Sequence, residues 1–173
     1  MITMVEYVHQ RILTYNCATG VDFTMGNGFD TVFLAKHCQQ VYAFDIQPQA
    51  LGMTQKRVGH MSHVKLILDS HENMDQYFQS FDVGIFNLGY LPHASHHITT
   101  TLDSTQKAVI KAIEYMRQAL FLVVYTGHEE GYKESVWLES FVSQLDPHQF
   151  HVSCFRMLNK HQAPYVIEIE KKQ

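Results

Sequence analysis

The chain is poor in the residues that would give it a cross-linked or membrane-bound design. Of its 173 residues only three are cysteine, at Cys17, Cys38 and Cys154, with no Cys-x-x-Cys pair. An odd, scattered set argues against a disulfide framework and against a zinc ribbon, so reduced thiols in a cytoplasmic protein are the expectation. No apolar run approaches the ~18 residues of a membrane span. The opening "MITMVEYVHQRIL" carries Glu6, His9 and Arg11 where a signal peptide would be apolar, so a soluble, unprocessed chain is expected. Cationic excess is missing too: 13 Lys and Arg against 17 Asp and Glu leave a formal charge of -4. A nucleic-acid partner would therefore be held by a local patch rather than by a global field. With only 4 Pro and 9 Gly there is no linker-like stretch, and no repeat is visible. One domain over residues 1–173 is expected, including an N-terminal helix over 1–14.

What is present is alternation. Val5, Val8, Ile12 and Leu13 have helical spacing. Then "CATGVDF", "QVYAFD", "HVKLILD", "FDVGIFN" and "ALFLVVYTG" read as strands, and "DTVFLAKHC", "PQALGMTQKRVG", residues 103 to 118 and residues 132 to 144 as helices, with a short helical piece at "HENMDQYF". "FHVSCFRML" and "PYVIEIE" close the chain as strands, the last alternating inward and outward. Strands alternating with helices predict an α/β fold with a parallel sheet and helices on both faces. Ligands of such sheets bind beyond the carboxyl ends of the strands.

Polar groups collect at those ends. "DFTMGNGFDT" is a strand, a Gly-x-Gly turn at Gly26 and Gly28, and a helix start, but Thr31 stands where a dinucleotide fingerprint has its third glycine. Asp45 ends the second strand, suited to the two hydroxyls of a ribose; Asp69 ends the third and could accept from an adenine amino group. A glycine turn, a ribose acid and an adenine acid without a pyrophosphate clamp fit S-adenosylmethionine better than NAD. Each feature alone has a bland reading, as a turn or a strand-end cap.

The fourth strand leaves the core through "FNLGYLP", residues 86 to 92. An amine to be methylated must aim its lone pair at the sulfonium methyl, so acceptors have to hold its protons aside. The Asn87 amide oxygen and a carbonyl near Leu88 or Gly89 suit that task, and Tyr90 could stack on the base that carries the amine. The segment is similar to the Asn-Pro-Pro-Tyr motif of amino methyltransferases, with Leu88 and Gly89 in place of the prolines. His93, His96 and His97 cluster nearby without the spacing of a metal site, so no metal is expected. "HEEGY" lacks the second histidine of a zincin. Lys107, Lys111 and Arg117 are read as the solvated face of one helix, with a phosphate patch as the alternative.

"DFTMGNGFDTVFLA", "FDIQPQAL" and "FNLGYLP" followed by "ITTTLDST" together resemble the bacterial MnmM (YtqB-like) family, long labelled as rRNA methylases. The resemblance runs from about residue 15 to the C-terminus. It implies a Rossmann-like class I methyltransferase: a mostly parallel seven-stranded sheet with an antiparallel last strand. It implies S-adenosyl-L-methionine as cofactor, tRNA (its anticodon stem-loop) as partner, and methylation of 5-aminomethyl-2-thiouridine at wobble position U34. By the family pattern Asp22, Gly26, Asn27, Gly28, Asp30 and Thr31 would meet the methionine end of the cofactor, Asp45 and Gln47 the ribose, and Asp69 and Ser70 the adenine. Asn87, Leu88, Gly89 and Tyr90 would line the reacting amine, Asn87 bordering the cofactor as well. Tyr90, Pro92, His96, His97 and Thr99 would face the substrate. Relatives tend to carry a Gly-Gly-Asp-Lys-like loop where this chain has His93-Ala94-Ser95-His96-His97. The base is open among Asp30, His97 and Tyr90, and a homodimer is possible. Methylation of rRNA or of a small amine is the nearest alternative, and a non-catalytic nucleotide-binding module the alternative of another class.

Overall fold

A computed structural model describes residues 2–88, 102–127, 129–160 and 162–172. Helix α1 (Met4–Ile12) is started by a reciprocal capping box, the Glu6 amide donating to Thr3 Oγ1 and the Thr3 amide to the Glu6 carboxylate. Strands β1 (Thr19–Asp22), β2 (Gln40–Asp45) and β3 (Val64–Leu68) alternate with α2 (Phe29–His37) and α3 (Pro48–Val58). A 3-10 turn at His71–Gln76 leads to β4 (Phe81–Leu88), followed by α4 (Leu102–Tyr115), β5 (Met116–Val124), α5 (Glu129–Val142), β6 (Phe150–Phe155) and β7 (Tyr165–Lys171). No helix among the described residues is long and apolar enough to cross a membrane.

The sheet order is β3-β2-β1-β4-β5-β7-β6. The pairs from β3 through to β5 are parallel, while β7 runs antiparallel to both β5 and β6. From β1 the chain winds outward to β3, then returns to the other side of β1 as β4. The strand order thus reverses between β1 and β4, the place where such sheets open a crevice. The expected mostly parallel seven-stranded sheet with an antiparallel last strand is the one observed.

Two apolar layers sandwich the sheet. On one face Phe23, Phe44, Phe81 and Phe86 join α4 and α5 residues such as Val109, Ile113 and Leu138. Phe23 and Phe86 stack at 4.2 Å. That packing needs Gly84, because a Cβ there would lie 2.8 Å from both the Phe23 and Phe81 rings. On the other face Val8 and Ile12 of α1 and Leu34 of α2 cover Val41, Val83 and Phe121.

Four expectations need correction. The helix expected over 103 to 118 ends at Tyr115, because Met116 already pairs with Phe81 in the sheet. Arg117 consequently leaves the proposed helix face and pairs with Asp82 at 3.0 Å, while Lys107 pairs with Asp103 and Lys111 with Asp75. The last strand does not alternate: Tyr165 to Ile169 are all buried. Its outward Glu168 is covered by α1 and α1's exit, from which Arg11 Nη2 donates at 2.8 Å and Tyr15 Oη at 2.9 Å.

The fourth correction concerns sulfur. Cys17 and Cys38 form a disulfide across a sequence separation of 21, leaving Cys154 free and exposed. Parallel pairing brings the entrance of β1 beside the exit of α2, where the Gln40 amide donates to Ala18 O at 2.9 Å, and no Cys-x-x-Cys spacing is needed. Closing a loop of that size is worth about 3 kcal/mol. Thiol titration of denatured, unreduced protein should find one reactive cysteine per chain, rising to three after reduction; three before reduction would refute the bond.

Candidate functional site

The described polar groups at the carboxyl ends of β1, β2 and β4 converge on the turn between β1 and α2. Asp22 closes β1 with no exposed surface. Its carboxylate accepts from Thr31 Oγ1 at 2.6 Å and from the Thr24 amide at 3.1 Å, tying the strand end to the first turn of α2. Between them Gly26 and Gly28 take left-handed φ of 47° and 79°. Gly28 is required twice over, since a Cβ would also lie 2.7 Å from Thr54 Oγ1 on α3.

The turn rests on the end of β2. Asp45 accepts from the Gly26 amide at 3.1 Å with one oxygen and from the Gln47 amide at 2.9 Å with the other. Each oxygen keeps a lone pair, so Asp45 can still accept from two hydroxyls. The Asn27 carbonyl accepts from Arg57 Nε at 2.8 Å, and that guanidinium lies 4.2 Å over the exposed Phe29 ring.

On the neighbouring strand Asp69 accepts from the Ser70 amide, Asn73 Nδ2 and Tyr77 Oη, at 2.7 to 2.9 Å. Burial alone would raise its pKa; the donors, Asn73 and Tyr77 foremost, outweigh it and hold the carboxyl below its ordinary range. Ser70 caps the 3-10 turn that follows.

At the end of β4 the Asn87 amide N–H donates to Thr24 Oγ1 at 2.8 Å, and Asn87 Nδ2 donates to Asp30 Oδ2 at 2.8 Å. The other Asp30 oxygen meets His9 Nε2 at 2.7 Å. His9 comes from α1 and lies flat on Phe33, with ring centroids 3.7 Å apart. Leu88 is buried, and its carbonyl accepts from the Tyr125 amide at 2.9 Å as part of the sheet ladder. Gly89, Tyr90, Pro92, His96, His97 and Thr99 lie outside the described residues.

Of the residues singled out from sequence, Asp22, Gly26, Asn27, Gly28, Asp30, Thr31, Asp45, Gln47 and Asn87 thus belong to one connected arrangement, and Asp69 and Ser70 stand one strand further out. His9, Thr24 and His71 escaped the sequence reading. His71 Nδ1 meets the Phe23 carbonyl at 2.9 Å from a buried position, and burial lowers its pKa. Its Nε2 is buried without a partner among the described residues. Thr24 lies inside the glycine-turn segment but reads there as an ordinary turn residue; neither histidine sits in a recognisable motif, and His9 looks like one more polar residue on an amphipathic helix. An open depression of about 620 Å³ at the opposite end of the sheet, near Cys17 and Arg117, shares none of these groups. Among the described residues no cluster of three or more His, Cys, Asp or Glu could hold a metal ion.

Residues 41–170 match the family model described as "Putative rRNA methylase". The chain belongs to that family. The segment Asp22–Thr31 precedes the matched residues, but solved relatives of the family's kind span it. A "putative rRNA-methylase" from Clostridium thermocellum shares 33% identity and a TM-score of 0.93, with 99% of each chain covered. A "putative methyltransferase" from Streptococcus mutans, solved in complex with SAH, shares 36% identity and a TM-score of 0.90, again with 99% of each chain covered. The chloroplastic tRNA (mnm(5)s(2)U34)-methyltransferase of Arabidopsis thaliana is 32% identical over 174 residues, which is 90% of this chain and 64% of that relative's length. The fold is the Rossmann-like class I methyltransferase fold that family membership leads one to expect.

The site carries a pH signature. Burial first, and then the neighbouring Asp30 carboxylate, push the Asp22 carboxyl from 3.8 up to about 7 against the donors that favour its anion. The folded chain therefore keeps this proton between about 4 and about 7, where the unfolded chain has already released it. Stability should fall as pH rises through that window, by at most about 1.4 kcal/mol per pH unit, and level off above it. Urea midpoints measured across the range should show a flatter profile in Asp22→Asn; an unchanged slope would place the titration elsewhere.

Proposed function

We propose that the protein is an S-adenosylmethionine-dependent N-methyltransferase that converts 5-aminomethyl-2-thiouridine to 5-methylaminomethyl-2-thiouridine at U34 of tRNA. The observation that carries this reading is the Asn87 side chain, held at the end of β4 with its Nδ2 committed to Asp30. An amide fixed in that sense would offer its oxygen, rather than its N–H groups, as the acceptor for an amine N–H.

The residues present suit the cofactor. Asp45 retains acceptor capacity for the paired hydroxyls of a ribose, with Gln47 beside it. Asp69 and Ser70, at the end of the adjacent strand, would take the adenine, while the positive-φ turn at Gly26 and Gly28 lets a ligand approach main chain without a Cβ in the way. Asp22, buried and raised in pKa, would gain its charge beside the cationic methionine end. When bound, this cofactor supplies an electrophilic methyl group on a sulfonium.

An alkyl ammonium is not a nucleophile, so the acceptor must first lose a proton. Asp22, buried beside Asp30 with its pKa raised to about 7, would be the described group to take that proton. With the amine neutral, Asn87 Oδ1 would hold one N–H aside and leave the lone pair free to form the new N–C bond. Alignment then provides most of the rate enhancement. The substrate reading rests on the tRNA methyltransferase relative; the family's description favours rRNA as the second reading. Acting on the anticodon stem-loop, the protein would work in the cytoplasm.

Incubation with S-adenosylmethionine and tRNA bearing the unmethylated aminomethyl base, followed by mass analysis of the digested nucleosides, should show a one-methyl gain at the wobble nucleoside. A gain on rRNA alone would select the second reading. Asn87→Ala is expected to lower kcat about 100-fold while S-adenosylhomocysteine affinity stays within about threefold. Asp45→Ala should do the reverse, weakening that affinity about 10- to 100-fold by calorimetry.

A further inference from the structure

The family assignment gives no role to α1, yet this helix sends one side chain into the site. His9 Nε2 lies 2.7 Å from Asp30 Oδ1, and Asp30 Oδ2 lies 2.8 Å from Asn87 Nδ2, so three segments of chain are joined in one line. The ring is held from the side by stacking on Phe33, at 3.7 Å with planes 1° apart. Asp30 is almost fully buried, and an ionised carboxylate can only accept. Both of its neighbours must therefore present N–H groups. That requirement settles which way the Asn87 amide points: reversed, it would set oxygen against oxygen at the distance where Nδ2 now donates.

The direction matters to an amine acceptor. With Oδ1 turned to the crevice, the amide takes an amine proton and leaves the lone pair free. With Nδ2 turned there, it would donate to that lone pair and quench the nucleophile. Thr24 Oγ1 is too weak a selector by itself, since it lies 3.5 Å from Asn87 Nδ2 and already accepts the Asn87 backbone N–H at 2.8 Å.

We propose that His9 is a positioning residue for methyl transfer: by donating from Nε2 to Asp30 it holds the carboxylate that orients the Asn87 amide, with Oδ1 toward the acceptor amine. The importance of this orientation for turnover rests on the N-methyltransferase reading above; the orientation itself does not. α1 is thereby part of the site, since its own seating, through buried Val8 and Ile12 and the Arg11–Glu168 pair, sets where His9 stands.

Two variants separate the donor from the ring. His9→Phe keeps an aromatic ring over Phe33 and removes the donor; His9→Gln restores a donor of similar reach. In 15N-labelled protein saturated with S-adenosylhomocysteine, the two Asn87 side-chain N–H resonances are identified by their loss in Asn87→Asp. In His9→Phe they should shift and exchange with water about tenfold faster or more, and in His9→Gln they should return toward wild type. On aminomethyl-bearing tRNA, His9→Phe should lower kcat about 10- to 100-fold, with KM for tRNA and S-adenosylhomocysteine affinity within about threefold, and His9→Gln should recover most of the loss. Should His9→Phe fail to fold, His9→Leu removes the donor while leaving Asp30 and Asn87 in place, and should give the same spectrum and kcat. Unmoved Asn87 resonances would overturn the proposal, as would a kcat loss that His9→Gln does not relieve. If wild-type protein leaves this tRNA unmethylated, the substrate reading fails, and the amide resonances still decide the role of His9.

Discussion

A carboxylate with no exposed surface stands where the first strand ends, and the site is arranged around satisfying it. Asp22 can remain there only because Thr31 and the Thr24 amide donate to it. Those two donors lie on either side of the glycine turn, so satisfying the buried carboxyl also folds the turn. The turn in turn needs Asp45 to accept its Gly26 amide and Thr54 to donate to its Gly26 carbonyl. Strand β2 and helix α3 are thus pinned to the same point. One buried carboxyl group fixes the relative placement of β1, β2, α2 and α3 at the end where the crevice opens.

The second carboxylate, Asp30, extends this arrangement in the other direction. It links α2 to β4 through Asn87 and to α1 through His9. Burial is the main reason the Asp22 carboxyl is raised toward neutrality, and the neighbouring Asp30 adds to it. Under the proposed function, proton loss from an ammonium and alignment of its lone pair are the two demands on the site, and Asp22 and Asn87 are the residues that would meet them.

Much of this is legible in the sequence. Asp45 and Asn87 stand out by their places at the ends of apolar runs, and Gly26 and Gly28 by a turn between strand and helix. Strand periodicity and the parallel-sheet rule suffice for that, since both act over a few residues. Where the reading went astray, a distant partner overrode a local preference. Met116 fits the apolar stripe of α4, but pairing with Phe81 claims it for β5. Glu168 reads as an outward residue of an alternating strand until α1 covers it. Cys17 and Cys38 look unrelated in sequence, yet the β1-α2-β2 unit sets their Cα atoms 4.7 Å apart.

The sequence by itself determined which strand ends carry polar groups, where the main chain must turn through positive φ, and hence that a ligand crevice lies at one end of a parallel sheet. Only the tertiary structure decided which of those groups touch. His9 meets Asp30 across 21 residues, Asp30 meets Asn87 across 57, and Arg11 meets Glu168 across 157. The reason is physical: periodicity records whether a residue faces the core or the solvent. A hydrogen bond between side chains instead depends on the order in which strands lie side by side, and that order is settled by the packing of the whole sheet.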